Sequence, residues 1–169
     1  MVCGERKGDI MQNYQENHNI TGNDARICIY IDNKNNVIIS PVWRDIKGVP
    51  RASKIFIKTI NDKGLAYSLI EGLKISSENI QEDYFCASNF WTEATGIKSF
   101  SAFSKKHKCV IVDYINNKEL YSIIKTKRYK DGSYGYDKED IPFRVKEYPG
   151  KPSVETIADQ VLEALKIED

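Results

Sequence analysis

Two groups of side chains have types and spacings that could do chemistry, and they carry opposite charge. Glu78 and Glu82, with Asp83 beside them, set carboxylates four residues apart. On a helix that spacing lets a pair share a proton or a metal ion. A metal needs further ligands, which the surrounding spacing does not supply, so neither metal nor cofactor is assigned. The plainer reading is a solvated acidic face, which would still suit a basic partner. The second group is the run Lys125, Lys127, Arg128 and Lys130, interleaved with Tyr129 and followed by Tyr134 and Tyr136. Such cations hold phosphates and such rings stack on bases, so a small RNA-binding module using 125–136 is one reading, extended by Lys105, Lys106 and Lys108. The preferred reading is a hairpin tip whose charges keep a sheet edge from pairing with other chains.

His107 and Cys109 lie two apart, so on a strand they share a face and could form a thiol–imidazole pair. No third orienting group accompanies them, and a buried structural cysteine beside a surface histidine is expected. The sequence contains no phosphate-binding glycine loop, dinucleotide fingerprint or nucleophile elbow. No catalytic residue is assigned, and nothing in these motifs supports an enzyme. Trp43, Trp91 and ten tyrosines fit either an interface or a core.

The balance of 25 basic against 24 acidic residues, net +1, provides no global field to steer the chain onto a polyanion. Nucleic acid is therefore not the expected partner. Cys3, Cys28, Cys86 and Cys109 are too dispersed for a structural zinc site and suit a reducing cytoplasm. Residues 1–24 lack the apolar core of a secretory signal, and no run elsewhere approaches a membrane span.

These residues must be positioned by an α+β domain. At 169 residues the expectation is a flexible polar arm over 1–24 and one domain over 25–169. Ile27–Ile31 and Val37–Ile39 flank a polar turn and read as a hairpin. Pro41 and Pro50 bracket an irregular stretch, and Lys54–Lys58 reads as a strand. Leu65, Ala66, Leu69, Ile70 and Leu73 share one face of a helix over 61–76, capped by Asn61 or Asp62. Ser77–Asp83 could begin a second helix. After Gly96, the face of Ile97, Phe100, Phe103 and Ser104 is helical. Cys109–Ile115 and Leu120–Ile124 form a second hairpin. Ile141–Lys146 alternates like a half-buried strand, which Pro142 places at a sheet edge. Ser153 caps a closing helix with the stripe Val154, Ile157, Ala158, Val161, Leu162 and Leu165. Short turns between neighbouring strands require a largely antiparallel sheet, packed against several helices including the last.

The stretch Ile97-Lys-Ser-Phe-Ser-Ala-Phe103, the strand Cys109–Asp113, the turn with Lys130, Gly132 and Tyr134, Ile141-Pro-Phe143, and the helix Ser153–Leu165 together resemble the immunity proteins of contact-dependent growth inhibition systems. The turn at Gly132 departs from the family's adjacent glycines. The resemblance implies a cytoplasmic bacterial protein that is not catalytic. It would bind and block the C-terminal toxin domain of a large exported effector, often a nuclease acting on tRNA or DNA. Because a nuclease cleft is positive, acidic groups are expected to make contact: Glu78, Glu82 and Asp83, with Glu139 and Asp140. Addition of an edge strand to the toxin's sheet is a second route.

Overall fold

The computed structural model describes residues 24–44, 49–53, 55–60, 64–78 and 89–167. Strands β1 (Ala25–Asp32) and β2 (Asn36–Arg44) form the expected hairpin. Its turn is held by Asp32, whose Oδ1 accepts from the backbone N–H of Lys34 at 2.8 Å and of Asn36 at 2.9 Å. Asn35 takes the left-handed conformation (φ 62°) that Asn tolerates at such turns. The short strands β3 (Pro50–Ala52) and β4 (Ile57–Ile60) pair with successive parts of β2. The second hairpin joins β5 (His107–Ile115) to β6 (Leu120–Lys125). A separate two-stranded ribbon, β7 (Lys127–Arg128) and β8 (Tyr134–Gly135), precedes β9 (Val145–Pro149). The main sheet has the order β3-β2-β1-β5-β6-β9, with β4 also on β2, and every pairing is antiparallel.

Both faces of this sheet are covered, which explains why its central strands are apolar almost without interruption. Side chains alternate. Ile27, Ile29, Val110 and Val112 pack beneath helices α1 (Leu65–Glu78) and α5 (Val154–Leu165), which is the closing helix. Ser153 caps α5 as expected, its Oγ accepting from Thr156 N. Cys28, Tyr30, Cys109 and Ile111 face the other way. There they meet the short helices α2 (Phe90–Thr95) and α3 (Phe100–Ser104) and the β7–β8 ribbon. Tyr30 is the hub of an aromatic cluster, with ring centroids 5.2 Å from Phe103, 5.4 Å from Phe90 and 5.8 Å from Tyr134.

Gly72 draws α1 onto the sheet. A Cβ there would lie 2.8 Å from Ile39 Cγ2, so the glycine that weakens the helix also permits its close packing. Ser76, on the same face, accepts from Arg26 N at 2.9 Å and donates to Val42 O at 2.5 Å, bridging β1 and β2 with its hydroxyl.

Several sequence expectations need correction. Ile70 is 49% exposed, while Ser68, Gly72 and Ser76 are buried, so the packed face of α1 is rotated toward small residues. Pro41 does not begin an irregular stretch, because β2 runs through it. Its carbonyl accepts from Ser53 N at 2.8 Å, away from β1, and N and C=O of one strand residue point to the same side. Its missing N–H therefore costs the β1–β2 ladder nothing. The strand expected at Lys54–Lys58 is displaced to Ile57–Ile60. Ile141–Lys146 is not one strand: Ile141–Arg144 forms a single-turn helix, α4, with Pro142 in its first turn, where a proline sacrifices no bond. Val145–Pro149 then supplies the edge strand. Ser77 and Glu78 extend α1, whereas the proposed cap at Asn61 or Asp62, residues 79–83 and all but the last residue of the arm expected over 1–24 fall outside the described residues.

Candidate functional site

The basic-aromatic run is largely turned inward. Lys125 is 1% exposed, and its Nζ donates to Thr126 O at 2.8 Å. Lys127 Nζ lies between Asp137 and Asp140, 2.9 Å from the latter's Oδ2, and these hydrogen bonds raise its pKa. The same bonds lower the pKa of both carboxyls. Arg128 Nε donates to Ser104 Oγ at 2.8 Å, tying the ribbon to α3. Gly132 (φ 91°) allows the turn to approach α3, since a Cβ there would meet Ser101 Cα at 3.1 Å. Tyr134 is buried and its hydroxyl donates toward His107 O (2.7 Å) and Ser104 O (3.1 Å). Tyr136 is buried too, and desolvation pushes its pKa up to about 12. Those two rings belong to the core and are not presented to a ligand.

The acidic residues expected to contact a partner occupy different elements. Glu78 ends α1 and is exposed. Glu139 is exposed in the 3₁₀ turn Lys138–Asp140. Asp140 is half-buried and engaged by Lys127 and by Arg144, whose Nε is 3.5 Å from Oδ2. Glu82 and Asp83 lie outside the described residues.

The His107–Cys109 pair is arranged for packing. Cys109 is fully buried, and His107, expected at the surface, is itself buried at 9% exposure. Its ring stacks on Phe103 at 3.9 Å and its Nδ1–H donates to Phe103 O at 2.8 Å. Burial lowers the His107 pKa, favouring the neutral ring. Trp91 is core, in edge contact with Phe100 at 5.1 Å, and Trp43 is half-buried.

Two features escaped the sequence reading. Arg26 and Asp113, both buried, form a two-pronged ion pair, Nε–Oδ1 and Nη2–Oδ2 each 2.6 Å, from positions opposite each other on β1 and β5. The second is an open cleft of about 570 Å³ at the end of the sheet where the β1–β2 turn lies, lined by Asp32, Lys34, Lys105, Lys106 and His107 among others. The register Asp32↔His107 brings these distant stretches together. A charged residue within an apolar strand, twice over, was a signal for the ion pair, but nothing in the sequence marked the cleft. Among the described residues, no helix is long and apolar enough to cross a membrane.

No family model matches the sequence, and no curated protein matches it. Solved structures do. A protein of unknown function from Neisseria meningitidis superposes with TM-score 0.62 at 14% identity, covering 86% of this chain and 95% of that one. A chain of a CdiA-CT/CdiI toxin and immunity complex from Yersinia pseudotuberculosis superposes with TM-score 0.57 at 11% identity, covering 84% of this chain and 95% of that one. At these identities the likeness is one of fold.

Proposed function

We propose that this chain is an immunity protein that binds and neutralises the C-terminal toxin domain of a contact-dependent growth inhibition effector, acting in the cytoplasm and without catalysis. The observation that carries the reading is the fold shared with a chain of a toxin and immunity complex over nearly the whole of that chain. The inward use of the 125–136 charges supports a protein partner over RNA, because only part of that run is left to meet phosphates.

The target in this proposal is a nuclease toxin, acting on tRNA or DNA, whose positive cleft is met by Glu78, Glu82, Asp83 and Glu139. Asp140, held by Lys127 and Arg144, would contribute through the turn it fixes. The test is co-expression with the toxin tail encoded by an adjacent effector gene. Survival of the cells and co-purification of the two chains are expected. Continued killing with no complex would overturn the proposal. Reversal of Glu78, Glu82 and Asp83 to lysine should weaken the complex, and unchanged affinity would remove that cluster from the interface.

A further inference from the structure

We infer that the cleft at the β1–β2 turn is a docking site for a carboxylate-bearing loop of a protein partner. The inference goes beyond the proposed function: it concerns a different surface and holds whatever that partner does.

Three segments build the cleft. The β1–β2 turn contributes Asp32, Lys34 and Asn36; the end of α2 contributes Thr95; the turn between α3 and β5 contributes Lys105 and Lys106. Each segment is fixed by its own bonds. Asp32 binds the hairpin turn, Gly96 at φ 75° ends α2 through Gly96 N–H to Thr92 O, and Lys106 N donates to Phe103 O at 3.0 Å. A cleft of this size falls in the range that accepts a small ligand or a few side chains.

Its charge is uncompensated. Lys34, Lys105 and Lys106 are exposed, and none joins an ion pair among the described residues. Against these three cations the lining, among the described residues, holds one carboxylate, Asp32. Both oxygens of that carboxylate are occupied, by Lys34 N, Asn36 N and Asn36 Nδ2. It therefore serves the turn and does not neutralise the lysines. His107 is nine-tenths buried and lines the same space; with its Nδ1–H given to Phe103 O, Nε2 of the neutral ring is an acceptor, suited to a backbone N–H of the docked loop and not to its carboxylates.

Carboxylates fit better than a nucleic-acid strand. Among the described residues, the lining includes no aromatic ring for stacking a base beyond the imidazole already stacked on Phe103. Asp32 in the lining repels a dense run of phosphates, whereas one or two carboxylates on a peptide can sit among the lysines. Asn33 and Asn36 offer amides that suit a peptide backbone.

The probe is a capped glycine–serine peptide carrying two glutamates, titrated into the full chain labelled with nitrogen-15, with inorganic phosphate and a hexauridylate RNA in parallel. Peptide-induced amide shifts should cluster at Asn33, Lys34, Thr95, Lys106 and His107, and should diminish with added salt. They should weaken about tenfold or more in K105E/K106E and again in the separate variant K34E. The control K138E, on a different turn, should bind as the parent does. Well-dispersed spectra establish that each variant is folded. Shifts that are absent, scattered, or unchanged in both cleft variants would overturn the inference. Stronger binding by phosphate or RNA than by the peptide would overturn it as well.

Discussion

The chain has two concentrations of basic side chains, and they are used in opposite ways. The run at 125–130 is dense in sequence, yet Lys125 is buried, Lys127 is held by Asp137 and Asp140, and Arg128 is tied to Ser104. Lys34, Lys105 and Lys106 come from separate segments, yet they gather around one cleft and keep their charges exposed. Density along the chain therefore says little about available field. What decides is whether the fold places acceptors within reach of the cations. The β7–β8 ribbon packs against α3 and beside the 3₁₀ turn at 138–140, which bring hydroxyls and carboxylates to its lysine and arginine. The cleft faces solvent, and the carboxylate described in its lining, Asp32, is taken up by its own turn.

The sharpest way to test the inward use of charge is to remove an acceptor from the interior. Asp113→Ala leaves the Arg26 guanidinium buried without its bidentate partner, and breaking such a pair costs about 3–5 kcal/mol. Urea unfolding should show that loss. The double variant R26M/D113L should be less destabilised than D113A, because the Arg26 charge is removed together with its partner. A cost below about 1 kcal/mol for D113A would mean that the fold lets Arg26 reach water, and the contrast between inward and outward charge would weaken.

How much of this was legible follows from the range of the interactions. The two main hairpins and the closing helix were written locally, in β-branched runs, turn residues and the Ser153 cap, so they were readable. The covered state of both sheet faces was hidden, because a strand buried on two sides loses the alternation that marks its core side. Ile70 misled for a related reason: the helix–sheet contact required small residues at Gly72 and Ser76, and hydrophobicity alone could not reveal that. The alternation over Ile141–Lys146 looked like a strand, but Pro142 and the Asp140–Arg144 ion pair favour one helical turn first. The cleft depends on the register Asp32↔His107, a pairing with no local signature.

A smaller effect is expected at Lys127. Its side chain is partly exposed, so losing its pairs with Asp137 and Asp140 in Lys127→Ala should cost a small but measurable part of the stability, well below the loss in D113A. A double-mutant cycle with Asp140→Ala measures the coupling directly. If the run were a nucleic-acid surface, the same substitution would leave stability unchanged and reduce retention on RNA. That outcome would erase the distinction between the two basic regions.

The pH dependence of His107 offers a gentler test on the cleft side. Burial lowers its folded pKa beneath the ordinary histidine value of about 6.5, so below that pH the unfolded chain takes up the proton more readily than the folded one. The contribution is fully present above about 6.5, and is lost progressively as pH falls toward the folded value. Parent and His107→Gln should then diverge, with the parent losing more stability between pH 7.5 and 5. Parallel curves would mean that the ring is solvated, contrary to its stacking on Phe103.

The smallest expected effect is at the outward lysines themselves. Lys105→Ala and Lys106→Ala remove exposed charges that join no ion pair among the described residues, so stability should stay within about 0.5 kcal/mol of the parent. Relief of repulsion between neighbouring cations makes a slight gain as reasonable as a slight loss. The measurement is urea unfolding at low and at moderate salt. A loss above about 1 kcal/mol would show that these lysines support the fold, as the buried Lys125 does, and the cleft would then be a structural joint instead of a surface held open for a partner.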